Sequence, residues 1–155
     1  MRTDSSFENE TSLAKQLPHL QELLRSGKAV FIKPNGTSML PMLRQGIDGV
    51  VLCAVPEKLR KYDLPLYRRD NGMFVMHRIV KVGKTYTCVG DNQFHLEKGL
   101  RQDQMIAVVT GFYRGDRYYP VSALSYQIYC RFWHYTRFIR RVWRAVKRRI
   151  KRFLK

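Results

Sequence analysis

After Asp116 the chain has no acidic residue. The 39 residues beyond it carry 12 Lys or Arg, whereas the first 116 carry 17 basic against 12 acidic groups, a balance of +5. The formal charge of +17 thus describes a nearly balanced domain with a cationic extension. Cysteine is also scarce: Cys53, Cys88 and Cys130 are odd in number and widely spaced, which excludes the disulfide framework of a small secreted domain and a paired-cysteine zinc site. Cys53 and Cys88 lie in apolar, strand-like surroundings, so buried free thiols and a reducing compartment are expected. His19, His77, His95 and His134 lack ligand spacing, and no phosphate loop or dinucleotide fingerprint occurs. No metal or organic cofactor is expected. No apolar run approaches the ~20 residues of a membrane-spanning helix, and residues 1–11 are polar and acidic, unlike a secretory signal. The expected setting is a bacterial cytoplasm, with attachment to the inner face of the membrane from one side as the alternative.

What is present suffices for one domain with a real core: 155 residues, 45% of them hydrophobic. Residues 1–11 read as a loose tail. Leu13, Leu17, Leu20, Leu23 and Leu24 then share one helical face, with Ser12 as the expected cap and Gly27 as the stop. Residues 28–33 read as a strand ending at Pro34-Asn35-Gly36, a turn signature. Further strands are predicted at Val50-Val51-Leu52, Leu66-Tyr67-Arg68, residues 74–82, 84–89, 104–113 and 118–121, with Asp70-Asn71-Gly72 as a hairpin turn. Many short strands between turns predict a mainly β domain. The chain divides into three parts: an N-terminal tail and short helix (1–27), a β domain (28–121) and a cationic amphipathic helical extension (122–155).

Three short boxes carry candidate chemistry. Ser38 stands in Gly36-Thr37-Ser38-Met39-Leu40-Pro41, where the glycine relaxes the backbone ahead of the serine and Pro41 stiffens it beyond. Backbone N–H groups near such a turn are candidates for an oxyanion hole. His77 stands in a strand-like run, with Val75 and Ile79 on its face and Phe74, Met76, Arg78 and Val80 on the other. By itself it reads as a satisfied core histidine; beside a nucleophilic serine it reads as a general base. Asp91, in Gly90-Asp91-Asn92, is either an Asx turn or the acid that orients the imidazole. Glu97 is a second carboxylate within reach, and His95 a weaker base candidate.

In that order the boxes resemble the signal-peptidase and LexA-like serine peptidase superfamily, over residues 28–114. Residues 46–52 match the strand after the nucleophile box and Val109-Thr110-Gly111 the end of the domain. The resemblance implies a mainly β, coiled-sheet core that binds an extended peptide beside the site. The histidine before Arg78 is the feature of the endoplasmic-reticulum and archaeal type, in place of the lysine of bacterial signal peptidases. Lys81 and Lys84 do not occupy the family's lysine position. The resemblance makes Ser38 the nucleophile, His77 the base and Asp91 its carboxylate partner, with Glu97 near a second acid that is often aspartate. The family's membrane anchor and the DNA-binding domain of LexA-like repressors are both missing from the expected plan.

In the tail, apolar residues return every three or four positions from Tyr135 to Leu154, interleaved with Arg and Lys. Trp133, Phe138, Arg141, Trp143, Arg144, Lys147, Arg148 and Lys151 are the candidate surface for an anionic membrane or a partner. Packing of the apolar face on the domain is the second reading. Nucleic-acid binding is the third, since charge alone attracts phosphate without sequence specificity. The expected function is a serine endopeptidase acting on a leader or precursor peptide. The alternative is a non-catalytic peptide-binding or membrane-surface adaptor with a peptidase-like fold.

Overall fold

The computed structural model describes residues 10–153, and side chains from 13 to 150. It is a mixed α/β fold: an N-terminal helix, a multi-stranded β core and two C-terminal helices. Helix α1 (Glu10–Arg25) turns Leu20 and Leu24 into the core. It begins before Ser12, so that residue lies inside the helix and not at its cap. It ends as expected: Gly27 has φ +76° and donates to the Leu24 carbonyl, while Lys28 donates to the Leu23 carbonyl, both at 3.0 Å. Glycine reaches this left-handed conformation without a Cβ clash.

One sheet runs β1 (Val30–Ile32), β2 (Gly49–Cys53), β8 (Met105–Arg114), β3 (Pro65–Arg68), β4 (Phe74–Met76), with β9 (Arg117–Pro120) also paired to β8. The ten-residue β8 is its spine, joining β3 through its first half and β2 and β9 through its second. A smaller sheet is formed by β5 (Arg78–Val82), β6 (Tyr86–Val89) and β7 (Glu97–Leu100). The predicted strand over 74–82 is thus two strands in two sheets, and the chain crosses between them at His77. Strand β7 has no sequence signal, because Glu97-Lys98-Gly99-Leu100 offers a single large apolar side chain.

The larger core lies among α1, the first sheet and α2 (Leu124–Tyr135) and includes Leu20, Leu52, Leu66, Val109, Tyr126 and Cys130. A second cluster around Tyr67, Ile79, Cys88 and Val108 joins the two sheets. Tyr126 and Cys130 belong to the core, so packing continues past the expected boundary at residue 122. Cys88 and Cys130 are buried free thiols, while Cys53 is only half-buried. Among the described residues no helix is long and apolar enough to cross a membrane.

Candidate active site

The crossing between sheets fixes His77. The residue is 2% exposed, and Nδ1 stands 2.8 Å from a carboxylate oxygen of Glu97, the first residue of β7. Arg69, just past β3, holds that carboxylate from the other side through a fork, Nε to Oε2 at 2.7 Å and Nη2 to Oε1 at 2.6 Å. The Tyr67 hydroxyl lies 3.3 Å from the same imidazole nitrogen. Burial works against the Glu97 charge, but the Arg69 fork and His77 outweigh it and hold the acid below the usual carboxylate range. Glu97 is therefore ionised and must accept, so Nδ1 carries the proton. Burial also lowers the His77 pKa below the ordinary imidazole value, against the opposing pull of Glu97. A neutral ring with Nδ1–H on Glu97 leaves the Nε2 lone pair free.

Gly90 brings Ser38 near that nitrogen. A Cβ at this position would lie 3.1 Å from His77 Nε2, 3.1 Å from Ser38 Cβ and 2.7 Å from the Ser38 carbonyl oxygen. Ser38 Cβ and Nε2 are therefore no farther apart than twice 3.1 Å, and the absent side chain is what lets the two loops close. The turn beyond Gly90 completes the clasp: the Asn92 amide donates to the Ser38 carbonyl at 2.7 Å, and its side chain donates to the Thr37 carbonyl at 3.1 Å. Met39, Met42 and Leu43 are buried and anchor the Ser38 loop from below; its Leu40–Pro41 bond is cis. Ser38 itself is half-buried.

Asp91 does not reach this group. Its carboxylate takes a buried fork from Arg78, at 2.8 and 2.7 Å, and a bond from the Tyr129 hydroxyl at 3.0 Å. The expected partnership of Asp91 with His77 is thus replaced by one with the next residue along. Arg78 also donates to the Tyr126 hydroxyl at 2.8 Å, and its guanidinium lies over the Tyr126 and Tyr129 rings. The pair fastens β5, the Gly90–Asn92 turn and α2 together, so Asp91 positions that turn, and its charge also favours the protonated form of His77 from a distance. Neither Asx turn nor orienting acid describes it. His95 is exposed and lies outside the cavity lining.

A cavity of about 190 Å³ opens beside Ser38 and His77, lined on one side by Pro34, Met39 and Leu43 and on the other by residues 73–76. Strand β4, which supplies that second wall, is the last in its sheet among the described residues. The free strand edge suits pairing with an extended chain, and the cavity beside it mixes these apolar residues with Asn35, Arg69 and Gln93. Among the described residues no three of His, Cys, Asp and Glu sit close enough to hold a metal ion. Sequence reasoning does not single out Arg69, Tyr67 or Gly90. Of the three, only Gly90, inside the acid box, carries a local signal.

No protein-family model matches the chain, and no curated protein sequence matches it. The resemblance to signal peptidases rests on the three boxes, residues 46–52 and Val109-Thr110-Gly111 alone.

The candidate surface divides. Helix α3 (Arg137–Phe153) leaves Phe138, Trp143, Arg141, Lys147 and Arg148 exposed. Trp133, in α2, turns inward: its Nε1 donates to the Asp91 carbonyl at 2.7 Å and its ring stacks on Tyr129. Arg144 bonds Asn92. The side chain of Lys151 lies outside the described residues, as do residues 1–9 of the expected tail.

Proposed function

We propose that the chain is a serine endopeptidase with a signal-peptidase or LexA-like coiled-sheet core, acting on an extended leader or precursor peptide. Ser38 is the nucleophile, His77 the general base, and Glu97, held by Arg69, takes the orienting role expected of Asp91. The observation that carries the reading is the two-sided His77 ring: Nδ1 on an ionised carboxylate at 2.8 Å, Nε2 against Ser38 across Gly90. Nε2 takes the Ser38 proton as Oγ attacks the scissile carbonyl, and returns it to the leaving amine. A water then repeats the sequence to hydrolyse the acyl-enzyme ester. The peptide lies along the β4 edge with side chains in the 190 Å³ cavity. Neither metal nor organic cofactor enters these steps.

The test is a comparison of peptide termini in cells carrying wild-type protein with those carrying Ser38→Ala. Termini that vanish in the variant, and that purified wild-type protein regenerates, support the peptidase. Unchanged termini with both proteins folded overturn it in favour of a peptide-binding module.

A further inference from the structure

Helix α3 is mounted the wrong way round for a helix that packs on a core, where the apolar stripe faces inward. Part of its cationic side, at Arg140 and Arg144, faces the domain instead, while Arg141, Lys147 and Arg148 stay exposed. Arg140 donates to the Asp91 carbonyl at 3.1 Å, and its guanidinium stands 3.8 Å from the centre of the Trp133 ring. Arg144 donates to the Asn92 side chain at 2.7 Å and lies 4.8 Å over the Phe94 ring. The apolar stripe of Ile139, Val142, Val146 and Ile150 points away, each residue 40–66% exposed, and Trp143, 60% exposed, stands at its edge beside Leu40 and Pro41. Helix α2 prolongs it with Leu124, Ile128, Phe132 and Tyr135, 58–75% exposed. The three- and four-residue spacing runs unbroken across Thr136, which keeps right-handed helical backbone and bonds Phe132 and Arg140 on either side.

The occupant must meet two demands at once. Nine of the 17 residues of α3 are Lys or Arg and none is acidic, which selects a polyanion. The stripe, about 40 Å of helix at 1.5 Å per residue, needs an apolar bed. Nucleic acid supplies the charge and not the bed. A bilayer with anionic headgroups supplies both, and tryptophan and arginine suit its interface. We propose that α2 and α3 seat the chain on an anionic bilayer, the stripe at the boundary of headgroups and acyl chains. A groove of about 390 Å³ runs from Trp143, Arg144 and Lys147 to Leu40, Pro41 and Asn92, joining that surface to the Ser38 loop. Docking stands independently of catalysis. Its consequence, that the substrate is a peptide presented at the membrane surface, rests on the peptidase reading.

Full-length protein and Ser38→Ala are floated with vesicles of equal parts phosphatidylglycerol and phosphatidylcholine, and with phosphatidylcholine alone. Both proteins rise with the anionic vesicles only, and brominated lipid quenches a tryptophan emission that Trp143→Phe removes. Ile139→Glu and Val146→Glu keep the wild-type melting midpoint, since both positions are exposed, and weaken partition about tenfold or more. Wild type that stays in the buffer overturns the proposal. So does binding indifferent to the two glutamates, which is charge attraction alone and is checked with duplex RNA. A dimer that persists with vesicles and dissociates in Ile139→Glu also overturns it, because a second copy then covers the stripe. Flotation without Ser38-dependent cleavage contradicts only the peptidase; cleavage without flotation contradicts only the docking.

Discussion

Gly90→Ala separates catalytic geometry from stability. Gly90 is not among the positive-φ glycines, so alanine suits its backbone, and the loss of chain entropy in the unfolded state favours the variant by about 0.4–1 kcal/mol. Against that, the new methyl would stand 2.7 Å from the Ser38 carbonyl and 3.1 Å from His77 Nε2. Relieving such a contact costs about 1–3 kcal/mol. The net destabilisation is at most about 2.5 kcal/mol, a fall in melting midpoint below about 10 °C for a domain of this size. The relief itself moves the Ser38 carbonyl off the Asn92 amide and widens the gap between Ser38 and His77, the proposed nucleophile and base. A displacement near 1 Å lowers turnover about 100-fold. Gly83→Ala is the control, since its Cβ would meet nothing closer than the Thr85 carbonyl at 3.8 Å. Ser38-dependent peptide products are measured per folded molecule, with melting curves on the same samples. Wild-type turnover by folded Gly90→Ala refutes the reasoning, as does a loss of turnover that merely tracks unfolding.

Glu97→Gln removes the charge that raises the His77 pKa and puts an amide, which can donate as well as accept, where an acceptor-only carboxylate fixed the tautomer; we expect turnover to fall about 100-fold or more and the acid limb of its pH profile to move to lower pH. Asp91→Asn or Arg78→Leu strands half of a buried ion pair, so each lowers stability by about 3–5 kcal/mol in chemical denaturation, and an unchanged midpoint would contradict the account of Asp91. Protonation of His77 opposes folding, because its folded pKa lies below the ordinary imidazole value. Stability is intact above that value and declines as pH falls below it, where the unfolded chain binds the proton first. His77→Gln removes that part of the decline, and an identical pH–stability curve in the variant would sink the assignment.

The β domain and its turns are legible in the sequence because those signals are local. Asp70-Asn71-Gly72 closes β3 on β4 with Gly72 at φ +87°, and Gly115 at φ +61° turns β8 into β9. Alternation could not reveal the break at His77, since Met76 pairs with Leu66 in one sheet and Arg78 with Val89 in the other. Those partners are set by the whole fold. The same limit explains the exchanged carboxylates. His77 and Arg78 are neighbours, as are two acids either side of a short loop, and their spacing is silent on which faces which. Arg69 lies beyond sequence reasoning altogether, because it meets Glu97 across 28 residues through side chains alone. The outward stripe of α3 is visible as a pattern. Its direction depends on Arg140 and Arg144 finding the Asp91–Asn92 turn.

In the proposed mechanism His77 waits as a neutral base with its proton on Nδ1 and Nε2 open toward Ser38. Long-range proton–nitrogen NMR of the imidazole across a pH series measures this directly, with His77→Gln to assign the signal. The Nδ1–H tautomer at neutral pH and a titration below that of an exposed histidine are expected. A ring protonated at neutral pH, or one carrying its proton on Nε2, would contradict that mechanism.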